Sequence, residues 1–311
     1  MEVRQQLIQI GIMMLMGFLG IRLRLLRESS LDALAAYAMK IAMPCVLIYK
    51  LPMVSSRETV LSSVRVFVFA FFMYGVMLLA GWACGKLCRY SGDRLRVHMV
   101  QTGIGNMAII GFPMIAAALG DAATIYVAII FLVDQIYLYL VAYPLSFPAE
   151  SGVRMNLAML RRMLSPMVIA LLAAVAMIFL NLRLPEDSII TAAIVNVANS
   201  SQPVSIVFVG GIVAGLRLGR NAGLPGAAMT VVVRMLVMPI VVFLAADALG
   251  FAVMESKTLA LTVALPSLIS MAIMSRANGS DCEYATVNTC VTTVCCLGTL
   301  PVVIGVLNRL A

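Results

Sequence analysis

From residue 6 to residue 307 the chain is a succession of apolar stretches separated by short polar connections. Each is close to the length of about 20 residues that a helix needs to cross the hydrocarbon core of a bilayer. Ten can be placed, at 6–21, 31–50, 64–85, 97–119, 123–145, 163–181, 189–216, 226–249, 257–275 and 284–307. In lipid every backbone N–H and C=O must find a partner within the protein, which favours a bundle of helices. With 62% of its 311 residues hydrophobic and only 12% charged, the chain has no stretch polar enough for a separate aqueous domain. The expected fold class is an all-α, multi-pass integral membrane protein, one unit within the lipid bilayer.

The first segment, beginning at Leu7, has the length of a signal-peptide core. No convincing small-residue cleavage site precedes Arg22, Arg24 and Arg27, and nine segments follow, so it is read as part of the mature bundle. The net charge of +8 does not point to nucleic acid, because the basic residues are spread over short loops instead of one face. Membrane topology accounts for them better. With the N-terminus outside, thirteen of the 22 Lys and Arg residues fall on the inner side, Arg154, Arg161, Arg162, Arg217 and Arg220 among them, and seven on the outer side. This excess places both termini on the non-cytoplasmic face of the cell's inner (plasma) membrane. The seven cysteines, most inside apolar segments, read as small buried hydrophobes. Cys84 and Cys88 are four apart, but His98 is the only histidine, so no metal site is expected.

Ten segments divide into five and five, 1–150 and 151–311. Pro44 in the second segment and Pro203 in the seventh are 203 − 44 = 159 residues apart. The turns "LGD" at 119–121 and "NGS" at 278–280 are centred on Gly120 and Gly279, again 159 apart. An odd number of helices per half makes the second copy enter from the opposite side, as in an inverted repeat. Pro113, however, predicts an equivalent at 272, and the proline of the ninth segment is Pro266.

Two segments carry helix-breaking residues. The fourth contains Gly103, Gly105, Gly111 and Pro113 within eleven residues; the ninth contains Pro266 followed by Ser267 and Ser270. Proline removes a donor and its ring clashes with the carbonyl four residues earlier. The expectation is a pair of discontinuous helices restarting near Pro113 and Pro266, the alternative a pair of ordinary proline kinks. If two such helices cross at mid-membrane, each restarting end carries about half a positive charge, and together they complement one carboxylate. Asn106 adds a donor and an acceptor at the break.

The stretch "GNMAIIGFPM" resembles the fourth-helix signature of the auxin efflux carrier family. That family, of the bile acid/auxin transporter superfamily, includes plant PIN-type exporters and bacterial carriers of small organic acids. "SSQPVSIVFVGGIVAG" at 200–215, "RMLVMP" at 234–239 and "LPSLISMAIMSRANGSDCEYATVNTCVTTVCCLGTLP" at 265–301 are similar to its later helices in order and spacing. The resemblance implies ten transmembrane helices as two inverted five-helix repeats, with discontinuous fourth and ninth helices crossing. It places Asn106 against a substrate carboxylate and Pro113 and Pro266 at the crossover. The long loop of the plant exporters is missing between the fifth and sixth segments, which favours a bacterial-type member.

The substrate-binding candidates are Asn106, Gly111, Pro113, Pro266, Ser267 and Gln202. Asp134, with Gln135 beside it, lies midway along the fifth segment; it either takes up a proton or cation during a cycle, or is structural, paired with a basic residue of a neighbouring helix or kept protonated by burial. Lys40 and Arg234 are expected to snorkel to the headgroups, the alternative being attraction of the substrate. A secondary carrier of a small organic anion, working by alternating access, fits these features best. A membrane enzyme would need a catalytic set, and no HExxH or protease-like GxGD context occurs. A ligand sensor or scaffold without transport is the alternative. No cofactor is expected; coupling to Na+ or H+ is open, and a homodimer is compatible with such a bundle.

Overall fold

A computed structural model of the chain describes residues 3–27, 29–151, 163–215 and 223–311. Helices occupy each of the ten apolar windows. They are α1 (Val3–Arg22), α2 (Ser30–Val54), α3 (Arg57–Leu87), α4 (Gly92–Gly103), α5 (Met107–Leu119), α6 (Asp121–Leu145), α7 (Pro166–Phe179), α8 (Ile189–Gly215), α9 (Leu224–Ala248), α10 (Val253–Val263), α11 (Ile269–Asn278) and α12 (Cys282–Leu310). Six of them, α2, α3, α6, α8, α9 and α12, are long and apolar enough to cross a membrane by themselves; shorter apolar helices accompany them. Among the described residues the only extended pairing is one isolated bridge, Gly105 to Ser267. Arg154, Arg161, Arg162, Arg217 and Arg220, counted above toward the inner side, lie outside the described residues.

The chain forms two compact units, the first from residues 1–66, 108–129 and 164–216, the second from 67–107, 130–163 and 217–311. Each half of the sequence contributes to both. The first and second segments of each half fall in the first unit, and the third of each in the second.

In the first unit α1 lies along α8, and α2 packs on both α7 and α8. The α1–α8 contact is a backbone approach. A Cβ at Gly17 would overlap the Val207 carbonyl, and one at Gly210 the Met14 carbonyl, so small residues set the distance between the helices. The Tyr37 and Ser200 hydroxyls, 2.7 Å apart, join α2 to α8. Ile12, Leu15, Met16 and Leu19 on α1 face outward, as a lipid-contacting surface does.

In the second unit α9 packs on α10, α11 on α12, and α4 on α12. Near the start of α4, Arg94 Nε donates to Asp281 Oδ2 at 2.8 Å, and His98 Nδ1 lies 2.6 Å from the Tyr284 hydroxyl. Asp281 also caps α12 by accepting from the Tyr284 N–H at 3.0 Å. These bonds fix the register of α4 against α12 in the two to three turns before α4 ends.

Four prolines are absorbed without ending their helices. The chain widens into π-helical turns at Ala38–Ala42, Met107–Gly111, Leu138–Ala142 and Val231–Val237, and each run ends two residues before a proline: Pro44, Pro113, Pro144 and Pro239. The wider turn relieves the clash between the proline ring and the preceding carbonyl, and adjusts the hydrogen bonding around the donor that proline lacks.

This corrects the expected break in the fourth segment. Gly111 is helical, with φ −64° and ψ −52°, and the helix runs through Pro113. The break lies seven to nine residues earlier, where Ile104 turns extended with φ −116° and ψ 128° and the chain resumes as helix at Met107. In the ninth segment the break is where proline puts it, between Val263 and Ile269 around Pro266.

Candidate functional site

The two breaks meet within the second unit. Gly105 pairs antiparallel with Ser267, and the Asn106 N–H donates to the Pro266 carbonyl at 2.9 Å. Side chains replace the missing helical partners on either side. The Ser267 hydroxyl donates to the Gln101 carbonyl at 2.9 Å, and the Ser267 N–H to Thr292 Oγ1 at 3.1 Å. Gln101 Nε2 donates to the Ala285 carbonyl at 2.9 Å and to Thr289 Oγ1 at 2.8 Å, which joins the last turn of α4 to α12.

Arg234, in the π-helical part of α9, reaches the crossover from a third side. Nε donates to the Leu265 carbonyl and Nη1 to the Thr102 carbonyl, both at 2.8 Å, with a longer contact of 3.5 Å from Nη2 to Thr262. It is 1% exposed, so the expected snorkelling does not occur. Its sequence position explains why: eight residues into the segment that begins at 226, it sits about 12 Å along the helix, far from that end. Lys40, by contrast, is exposed on α2. A Cβ on Gly105 would overlap the Arg234 guanidinium, so glycine is needed there for close approach.

Several polar atoms at this depth have no partner. Asn106 is 3% exposed and its Nδ2 is unpaired; Gln101 Oε1 and both side-chain polar atoms of the fully buried Asn288 are unpaired as well. A buried unpaired amide costs about 1–3 kcal/mol, which sets this cluster apart from the apolar surroundings as the candidate site. Asn288 and Gln101 were not among the expected site residues. Their signal is a polar stripe in an apolar segment: Tyr284, Asn288 and Thr292, with Thr289 and Thr293 alongside, recur at helical spacing on the buried side of α12.

Asp134 is 1% exposed and accepts from the Tyr74 hydroxyl at 2.9 Å and, more weakly, from Gln135 Nε2 at 3.4 Å. Its hydrogen-bond partners among the described residues are these two uncharged groups; no basic side chain bonds it directly, and Arg234 lies within electrostatic range.

The remaining candidates lie in the first unit. Pro113 and Gln202 line one small cleft of about 70 Å³ with Thr124 and Ser201, and the Lys50–Asp121 ion pair, at 2.8 Å, stands at it. Gly111 is buried on the π-helical turn leading to Pro113. The structure thus brings Asn106, Pro266 and Ser267 together at the crossover, and separately Pro113 with Gln202.

Residues 3–304 match the family model described as membrane transport protein. The chain belongs to this family, the auxin efflux carriers. Membership covers nearly the whole chain and agrees with the multi-pass helical architecture. No curated protein matches the chain at a significant level.

Proposed function

We propose that this member of the carrier family is a secondary transporter of a small organic anion, a carboxylate, that binds at the α4/α10 crossover and is moved by alternating access. The observation that carries the proposal is the buried, unpaired amide of Asn106 directly before the first turn of α5. The N–H groups of a helix's first turn lack intrahelical partners, and this end carries about half a positive charge. A carboxylate there would accept from both.

The two-half plan supports the same proposal. With the break at its actual place, the misfit of Pro113 shrinks to one residue. Ile104, where the fourth-segment break opens, plus the offset of 159 gives 263, and the ninth-segment break opens at Ala264. Gly120 and Gly279, the other pair at this offset, both have positive φ, 85° and 81°. A ten-span inverted repeat, with crossing broken helices around a central site, is the arrangement these coincidences favour. Both termini are proposed to be non-cytoplasmic in the inner membrane.

The test is a flux screen in proteoliposomes with labelled lactate, malonate, malate and phenylacetate, with and without sodium and proton gradients. Saturable, protein-dependent uptake of at least one acid is expected. Binding without flux would favour a sensor or scaffold, and neither binding nor flux would end the proposal.

Asp134 is the proposed coupling group, with the Tyr74 hydroxyl and Gln135 as its partners and Arg234 within electrostatic range. When Asp134 is protonated it no longer offsets positive potential nearby, and an anion binds more readily. We therefore expect uptake to rise as the pH falls through the carboxyl's titration. Asp134→Asn should keep transport and flatten this pH profile. An unchanged profile would leave Asp134 a structural role.

A further inference from the structure

The crossover has four helix ends, and their charges can be counted. Helices α4 and α10 finish there with unpaired carbonyls, each end carrying about half a negative charge. Helices α5 and α11 begin after the breaks with unpaired N–H groups, each end carrying about half a positive charge. Left alone, these four ends cancel. A crossover of broken helices is therefore not an anion site by virtue of its shape.

Arg234 changes the count. Its guanidinium donates to Thr102 at the end of α4 and to Leu265 and Thr262 at the end of α10, the two carbonyl ends. No side-chain carboxylate accepts from it among the described residues; all three acceptors are backbone carbonyls. A buried guanidinium that no carboxylate bonds directly is costly unless nearby groups offset its charge; Asp134 acts on it only through space. Beside the guanidinium, Asn106 holds an unpaired donor with 97% of its surface covered, immediately before α5.

We propose that Arg234 gives the crossover its sign: it neutralises both carbonyl ends, so that, when Asp134 is protonated, the amide ends of α5 and α11 are left with one net positive charge for one carboxylate group. This rests on the crossover being the substrate site, and it narrows the substrate to acids that present a single negative charge there. Arg234 is a positioning and charge-setting residue that need not touch the substrate. The same count argues against a sodium ion beside Asn288 and Gln101, since their neutral oxygens would have to hold a cation against the field of Arg234.

The test measures binding of each acid of the flux screen, and of its uncharged amide, to purified protein in lipid nanodiscs. Wild type should bind the preferred monocarboxylate at least about 30-fold more tightly than its amide and than malonate or malate. Arg234→Lys should stay within about tenfold of wild type for the acid. Arg234→Gln should lose about 100-fold or more in affinity for the acid and change less than about threefold for the amide. A purely structural role would weaken both ligands together. A folded Arg234→Gln protein that binds the acid like wild type overturns the proposal while leaving the crossover site standing. If the Gln variant does not fold, the wild-type comparison decides, and equal binding of acid, amide and dianion overturns it. If wild type binds none of the acids, both the site and this inference fall.

Discussion

Asn106→Ala should abolish carboxylate uptake and leave a protein at least as stable as the parent. Hydrogen bonds to a charged partner are worth about 1.5–3 kcal/mol, so loss of the Asn106 amide should cost about 10- to 100-fold in affinity for the acid. Uptake at low substrate concentration should then fall to background. Stability should move the other way or stay constant. In the ligand-free protein the Nδ2 group is buried without a partner, and alanine removes an unsatisfied donor. A thermal melt in detergent checks this second half. A variant that loses uptake only because it unfolds would contradict the assignment, as would one with unchanged kinetics.

Gly105→Val should be the most damaging single change at the crossover. The new Cβ would overlap the Arg234 guanidinium and come to 3.2 Å from Leu265 Cβ. The guanidinium would have to leave the Thr102 and Leu265 carbonyls, which strands a buried charge at a cost of about 3–5 kcal/mol. We expect loss of transport together with a lower melting temperature. Gly298→Ala is the control: it lies on α12 with nothing within 4 Å of an added Cβ, and should leave transport unchanged. A Gly105→Val protein with wild-type flux and melting would mean that the close approach of Gly105 and Arg234 is not needed.

Much of the architecture was legible because lipid imposes its rules on sequence directly. Ten apolar windows became helices at nearly the expected limits, and Pro266 marked a true break. Pro113 misled for a physical reason. A proline can be carried through a helix by a widened turn, and Met107–Gly111 makes that turn, so proline alone does not locate an interruption. The fourth-segment break was written instead in Gly103, Gly105 and Asn106. Here glycine permits backbones to approach, and the lost helical bonds are replaced by partners 160 or more residues away, Pro266 and Ser267 among them. Such partners cannot be read from local spacing.

Arg234 was misjudged for a related reason. Snorkelling is the usual fate of an arginine near a span's end, and only its depth in the segment and the carbonyl ends waiting in other segments distinguish it. Asp134 was located correctly as a buried carboxylate, but its Tyr74 hydroxyl partner, 60 residues away in sequence, was not foreseeable. Gln202 and Pro113, grouped with Asn106 from sequence, line a cleft in the first unit beside Lys50 and Asp121.

The most direct test is a density map of the protein holding the acid that the flux screen selects. We expect the carboxylate about 3 Å from Asn106 Nδ2, at the first turn of α5, with Arg234 still bonded to the Thr102 and Leu265 carbonyls. An acid bound elsewhere, with the Asn106 amide still unpaired, would contradict the crossover as the substrate site.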